Sequence, residues 1–495
     1  MVNSLKRVAL NFRSRFRRPE WVFVVLAIFS GLLLAILIPA GAGFDEPSHI
    51  ARVEQIVDGK ILPQTVQKKD IDTNWSAVPE TRFELYGGYS DVALVETSVQ
   101  NMRSLHTTNQ AYAFPTWRDE HIVSGLSVGQ LGSTPFVFSN SAINSPIVYV
   151  PHIVGYLAAR LVTANAYAVI VAMRIAGLLF YACAVFFCIK AIPIGRWALA
   201  SVALIPNSLI TNSMVSADIV TFVMVIALIS LSLKAITDQA VDKRLWVLLG
   251  LASFVLSLSK IAYVPFLLVL LLIPLIGQKR VRRKSWIKVI VIWFCSSLLW
   301  LLWYLVIRNI NTGAMYKSTV DAQAQMQFII GHPVGFLKII VSNLLGSDLF
   351  STSSMGVLSV HGGFNYGGSI TLFMIILAVM VDAGLIGRQG LRQDLKAFAW
   401  IMIICISFSL ILIELAVYTQ FVAVGSNVTE GAQDRYFLPL VLPAILSGLS
   451  FTFLRTSEIE TIDISKRISN GFIISFQVLT VSVLLLQLAY SLFSA

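Results

Sequence analysis

Apolar and polar positions alternate along this chain in long blocks, and the apolar blocks are of membrane-crossing size. Trp21 to Ile38 is the first, close to the ~20 residues that a helix needs to cross a bilayer. Further apolar stretches cover 144–161, 167–189, 196–213, 217–233, 245–258, 261–276, 286–307, 369–386, 397–418, 436–454 and 471–492. Pro146 and Pro151 make 144–161 a poor straight span, and the parity of the charged loops leaves one element surplus. The pattern therefore predicts an all-α polytopic membrane protein with eleven spans, 144–161 lying on the surface, or twelve if it crosses.

The polar blocks divide the chain into a basic N-terminus (1–20), a first transmembrane helix (21–38), a large loop with juxtamembrane helices (39–165), a transmembrane core (166–307), a second loop (308–368) and C-terminal helices (369–495). A loop as long as 39–143 is expected to fold into short helices and irregular segments capping the membrane. Pro333–Leu345 reads as an interfacial amphipathic helix.

Charge gives these segments sides. Lys6, Arg7, Arg13, Arg15, Arg17 and Arg18 precede the first span without an acid, and Lys279, Arg280, Arg282, Arg283, Lys284 and Lys288 form a second basic run. Both belong in the cytoplasm by the positive-inside rule. The segment 39–143 reverses the balance, with seven Lys/Arg against twelve Asp/Glu, as an outer-face loop would. A cleaved signal peptide is the alternative for 21–38, but the run is long for one, and cleavage would detach the acids that follow. With 56% hydrophobic and 13% charged residues the chain is no soluble domain, and its net charge of +11 is explained by these flanks rather than by nucleic acid. Cys183, Cys188, Cys295 and Cys405 lie in apolar stretches and read as core residues, and the six histidines form no zinc motif.

The candidate chemistry starts at GFDEPSHIARVEQIVDG, residues 43–59, where the chain leaves the first span. Asp45 suits a helix N-cap, Pro47 the first turn and Gly59 the exit. At helical spacing Asp45, His49, Arg52 and Ile56 form one stripe, while Ile50, Val53, Val57 and Ile61 form another. Aromatic residues Tyr86 and Tyr89, flanking Gly87-Gly88, and Tyr112, Phe114, Pro115 and Trp117 offer stacking surfaces for a sugar or, equally, a small core.

FDEPSHIARVEQIVDG, NSPIVYVPHIVGYL (144–157), the Ser201–Asp218 stretch with ALIPNSLITNSMVSAD, SKIAYVPF (259–266) and GAQDRYFLPLVLP (431–443) together resemble the bacterial membrane family catalogued as domain of unknown function 2142. That family is similar to the GT-C glycosyltransferases, which take a sugar from a polyprenyl-phosphate carrier on the outer face of the plasma membrane. The resemblance implies a catalytic acid in the first outer loop, which maps onto Asp45 with Glu46 beside it, and a second acid mapping onto Asp218. It also implies a membrane-lipid donor and a glycan or glycolipid acceptor. A divalent cation (Mg or Mn), held by Asp45 and Asp218, is compatible with the family but not required. The family motif has Gly before the Arg-Tyr pair; here Asp434 precedes Arg435, which raises the question whether Arg435 is free to grip a phosphate.

Each candidate has a bland counterpart. Asp45 is the candidate base and Glu46 a second acid, against an N-cap and a dipole-favoured acid. His49 is a candidate to orient Asp45, position the acceptor or bind phosphate, and Arg52 shares its face; a surface His–carboxylate hydrogen bond and an intrahelical ion pair are the alternatives. Asp218 opens a long helix and competes with Ser216 for the cap. Arg174 lies inside a span and must meet a polar partner or a lipid phosphate. Lys260 and Arg435 are candidates for the lipid phosphate, with snorkelling the alternative for Lys260. Glu414 is expected to pair with one of these cations. Asn427-Val428-Thr429 and Asn74-Trp75-Ser76 match a glycosylation acceptor pattern, which is common by chance. Rival classes are a transporter or flippase for lipid-linked sugars, for which no inverted repeat is visible, and a scaffold in a polysaccharide complex.

Overall fold

A computed structural model describes residues 18–73, 84–107, 125–238, 240–310, 319–346, 366–386, 395–429, 432–455 and 470–493. The basic residues before Arg18, the aromatic group Tyr112, Phe114, Pro115 and Trp117, and the Asn74-Trp75-Ser76 pattern lie outside them.

The chain is the multi-pass helical membrane protein expected. Helix α1 (Pro19–Leu37) is apolar along its whole length, starts with Pro at its first position and stops before Pro39. The apolar core gathers around Asp218–Thr237, the most enclosed span, whose Phe222, Val223, Ile226 and Ile229 are buried among Tyr181, Leu204 and Phe266.

Span number departs from expectation. Among the described residues six helices, rather than eleven or twelve, are long and apolar enough to cross: Pro19–Leu37, Ala166–Ala191, Asp218–Thr237, Lys284–Ile307, Lys396–Phe421 and Asn470–Ala489. Prolines account for part of the difference, because each removes a helical N–H and restricts its predecessor. Pro206 divides the stretch 196–213 into Arg196–Ala203 and Pro206–Thr211. The stretch 261–276 winds as an 11-residue 3-10 helix containing Pro265, followed by the 5-residue helix Leu272–Ile276. At about 2.0 Å rise per 3-10 residue and 1.5 Å per α residue, that pair still reaches the ~30 Å hydrocarbon thickness. By contrast the 11-residue helix Val150–Arg160, rising about 16 Å, is too short to cross.

The expected interfacial helix is instead half of a bent pair, Ala322–Gly331 and Pro333–Gly346, turned by 106°. Its Phe336 and Ile340 pack on Tyr418 and Val422, while Val334, Leu337, Val341 and Leu345 are exposed, so both faces are apolar.

The large polar segment also differs from the helices and irregular loops expected. It contains a three-stranded antiparallel sheet in the order β1 (Gln64–Val66), β2 (Leu85–Asp91), β3 (Ser133–Val137). The Gly87-Gly88 pair lies in β2, where a Cβ on Gly87 would stand 2.0 Å from the Phe136 carbonyl oxygen. The glycines let helix α2 (Glu46–Val57) lie on the strand, with Gln55 Nε2 donating to Gly87 O at 2.8 Å. Tyr89 stays exposed. On its other side α2 packs on the helix Val150–Arg160, and its Ile50 and Val53 join a buried cluster with Tyr149, Tyr156, Val169 and Met173. Helix α2 is thus held between the sheet and the helix Val150–Arg160.

Candidate functional site

Loop 38–46 takes its shape from one carboxylate. Glu46 Oε1 accepts from Arg174 Nε at 2.7 Å and from Val215 N at 2.9 Å, and Oε2 accepts from Arg174 NH2 at 2.6 Å, Gly41 N at 3.0 Å and Gly43 N at 3.1 Å. Burial alone would raise the Glu46 pKa, but the Arg174 guanidinium and these donors outweigh it and hold the carboxyl below its usual range. Arg174 spends its remaining donors on the carbonyls of Ala35, Ile38 and Pro39.

Both assignments made from sequence for this pair are corrected by that inventory. Arg174 was expected to hold a lipid phosphate and Glu46 to act as a second acid. All five guanidinium N–H groups are consumed inside the protein, and five donors saturate the two carboxylate oxygens. The pair is a fully buried bidentate strut joining the first span, the second span and the turn before Asp218.

With Glu46 pinned inward, Asp45 is turned outward. Its φ of 54° is the only positive value on a non-glycine among the described residues, a left-handed geometry that Asp tolerates better than most. It occupies the N-cap position of α2 but makes no capping bond, so the N-cap alternative fails. Its Oδ2 instead accepts from Arg435 NH2 at 2.5 Å.

Arg435, buried in a short turn before Leu438–Arg455, organises the rest. Its NH1 donates to Phe44 O at 2.9 Å, and its guanidinium lies 5.0 Å from the Phe44 ring centroid and 5.4 Å from that of Tyr436. Its Nε stands 3.5 Å from Asp218 Oδ2 without hydrogen-bonding geometry. Burial would lower the Arg435 pKa, but Asp218, Tyr436 and Asp45 more than reverse that. Its carboxylate partners are thus Asp45 and Asp218; burial pushes the neighbouring Asp434 up to about 6.

Lys260 closes the group. Its Nζ pairs with Asp218 Oδ1 and lies 4.7 Å over the Tyr436 ring, so it does not snorkel away. Asp218 is the first residue of its helix, its N–H held by Ser216 Oγ at 3.1 Å, which leaves the carboxylate to the cations. Four charged side chains from four separate segments, Asp45, Asp218, Lys260 and Arg435, therefore meet in one alternating cluster. A small cavity beside it is lined by Asn212, Asp218, Tyr263 and Arg435. Three polar atoms of that lining, Asn212 Oδ1, Asp218 Oδ2 and Arg435 Nε, are buried without a hydrogen-bond partner.

This donor set does not fit a divalent cation. The space between Asp45 and Asp218 is bridged by a guanidinium, Lys260 engages the other Asp218 oxygen, and the described residues contain no group of three or more His, Cys, Asp or Glu suited to a metal.

His49 and Arg52, on the same face of α2, are buried. His49 Nδ1 meets the Tyr149 hydroxyl at 2.7 Å, and burial together with Arg435 lowers its pKa to about 4. Arg52 donates to Gln55 Oε1 and, at 2.8 Å, to Ile61 O, with no carboxylate partner among the described residues, where the expected ion pair with an acidic neighbour is not formed. Glu414, expected to pair with a cation, accepts from Thr429 Oγ1 at 2.7 Å and Asn343 Nδ2 at 3.4 Å instead. Residues that the sequence did not single out are Tyr149, Asn144, Asn212, Tyr263, Phe44 and Tyr436. Polar side chains inside otherwise apolar stretches were the available signal for the first four.

Among known families, the model described as "Predicted membrane protein (DUF2142)" matches residues 28–444. No curated protein matches the chain.

Proposed function

Because the chain belongs to this family of predicted membrane proteins, we propose that its charge cluster serves sugar transfer from a polyprenyl-phosphate donor to a cell-surface glycan or glycolipid, on the outer face of a bacterial plasma membrane. The observation that carries the reading is the meeting of Asp45, Asp218, Lys260 and Arg435 at the loop ends of a membrane bundle. A partly exposed carboxylate, Asp45, paired with the buried Arg435, which shares Asp218 with Lys260, suits a reaction that removes a proton on one side and releases a phosphate on the other.

In that reaction Arg435 exchanges Asp45 for the donor phosphate, and Lys260 supplies a second cation. Asp45, released, takes the proton of the acceptor hydroxyl as its oxygen bonds to the anomeric carbon. The bond from that carbon to the phosphate oxygen breaks, and its electron pair leaves with the lipid phosphate. Arg435 binds by its fork and Lys260 as a point charge. Asp218 keeps the two cations in place, while Glu46 and Arg174 only fix the loop.

A second reading, a transporter for lipid-linked sugars, is favoured by the broken segments around Pro206 and in the bent pair at Gly331–Pro333. Purified protein in proteoliposomes, given radiolabelled polyprenyl-phosphate sugar and candidate glycan or glycolipid acceptors, separates the two. Labelled product supports transfer; movement of the labelled lipid between leaflets without product supports the transporter and overturns the transfer reading.

A further inference from the structure

His49 follows Asp45 by one helical turn, its N–H bonded to Asp45 O at 3.2 Å, and it lies within the fields of Asp45, Asp218, Lys260 and Arg435. Its two ring nitrogens are not equivalent. Nδ1 is 2.7 Å from the Tyr149 hydroxyl, whereas Nε2 makes no hydrogen bond to any described residue.

The direction of the Tyr149 bond follows from its other neighbour. Asn144 Nδ2 donates to the Tyr149 oxygen at 3.3 Å, which occupies an acceptor position and leaves the hydroxyl hydrogen for Nδ1. Burial raises the Tyr149 pKa, so the phenol keeps that hydrogen. A neutral imidazole that accepts at Nδ1 carries its own hydrogen on Nε2. The ring is then fixed as a donor at Nε2 and has no lone pair there with which to act as a base.

We propose that His49 is a neutral hydrogen-bond donor, held in the Nε2–H tautomer by Tyr149 and Asn144, that positions an oxygen of the bound sugar-phosphate beside the Asp45–Arg435 pair. This rests on the reading of the cluster as a sugar-phosphate site. It makes His49 a positioning residue through a wired relay, Asn144 to Tyr149 to His49 to ligand, and leaves the base role to Asp45 alone. A fixed donor of this kind contributes through preorganisation, since neither its tautomer nor its charge has to change during the reaction.

Nitrogen-15 NMR of histidine-labelled protein in detergent reads the tautomer directly. The expected spectrum assigns His49, identified by its loss in His49→Gln, to the neutral Nε2–H form from pH 6 to 8, on the basic side of its titration at about 4. Polyprenyl phosphate then shifts the Nε2 resonance, with inorganic phosphate and a free monosaccharide as separate arms showing which half of the ligand it meets. An Nδ1–H tautomer, or no shift with any of the three probes and the intact polyprenyl-phosphate sugar, overturns the inference.

Kinetics separate this from the parent reading. His49→Gln, which retains a donor, is expected to keep within about tenfold of wild-type transfer, and His49→Phe to lose about a hundredfold or more. Tyr149→Phe leaves the tautomer unfixed and is expected to fall between them. Full transfer by His49→Phe, in a folded protein, defeats the role of His49 and leaves the transferase reading standing. A ligand-induced Nε2 shift in a protein that transfers nothing does the reverse.

Discussion

Asp45 and Arg435, 390 residues apart in the chain, meet through a 2.5 Å ion pair whose two ends have unlike surroundings. The Arg435 side chain is 2% exposed and the Asp45 side chain 38%. The cation is built into the protein, and the acid is available to leave it.

That asymmetry predicts unlike costs for removing the two partners. Arg435→Ala strips Asp218 of a buried counter-ion, and a loss on the order of 3 kcal/mol is expected, visible as a lowered melting temperature in detergent. Arg435→Lys restores the charge without the fork or the Phe44 contact and is expected to recover stability in part. Equal melting temperatures for wild type and Arg435→Ala would show that the cluster does not support the fold.

The Glu46–Arg174 strut is expected to behave as one unit. Glu46→Gln and Arg174→Met should each cost about 3–5 kcal/mol, while the double variant costs well below their sum, with a coupling of about 2–3 kcal/mol in a double-mutant cycle. Additive losses would dissolve the strut. The folded carboxyl titrates below its ordinary value of 4.5, so its contribution is fully present above that pH and is lost as pH falls through the lower folded value. Glu46→Gln therefore flattens the acid limb of the stability profile.

Glu54 predicts the opposite slope at the joint between α2 and the sheet. It accepts from Ser90 Oγ and from Asp91 N at 3.0 Å, yet burial pushes it up to about 7. A carboxyl raised in the folded state favours its neutral form, so stability is highest below pH 4.5, falls as pH rises to about 7, and is level above. The span corresponds to on the order of 3 kcal/mol. Hydrogen exchange of β2 amides across this range should show the decline in wild type and a flatter profile in Glu54→Gln; no difference between them would place the titration elsewhere.

Gly41 tests the loop that presents Asp45. Its φ is +90°, and an added Cβ would stand 2.1 Å from the Ser98 carbonyl oxygen. Gly41→Ala is expected to destabilise by about 2 kcal/mol or more and to lower any transfer activity with it. An unshifted melting temperature would contradict the tight approach.

The cluster was partly legible in the sequence because each member stands where an apolar run ends, and a charge at such a place is costly enough to be noticed. Asp45, Asp218, Lys260 and Arg435 could be named for that reason, and Arg174 marked as needing a polar partner. That the partner is Glu46 was not legible, since two adjacent acids have the same local chemistry and only the fold turns one inward and the other out. Tyr149 and Asn144 carried only the weaker signal of a polar side chain within an apolar stretch. The span count erred where Pro206 changes the backbone without changing the hydropathy, and the sheet was hidden by strands as short as Gln64–Val66.

Asp45→Asn tests the central claim most directly, because Asn fits the same left-handed backbone and the same volume and removes only the charge. The pair is partly exposed, so stability should change by no more than about 1 kcal/mol. In proteoliposomes with labelled polyprenyl-phosphate sugar and acceptor, the account predicts a folded protein that still binds the donor and loses at least a hundredfold in transfer rate. Transfer by Asp45→Asn at the wild-type rate would contradict it.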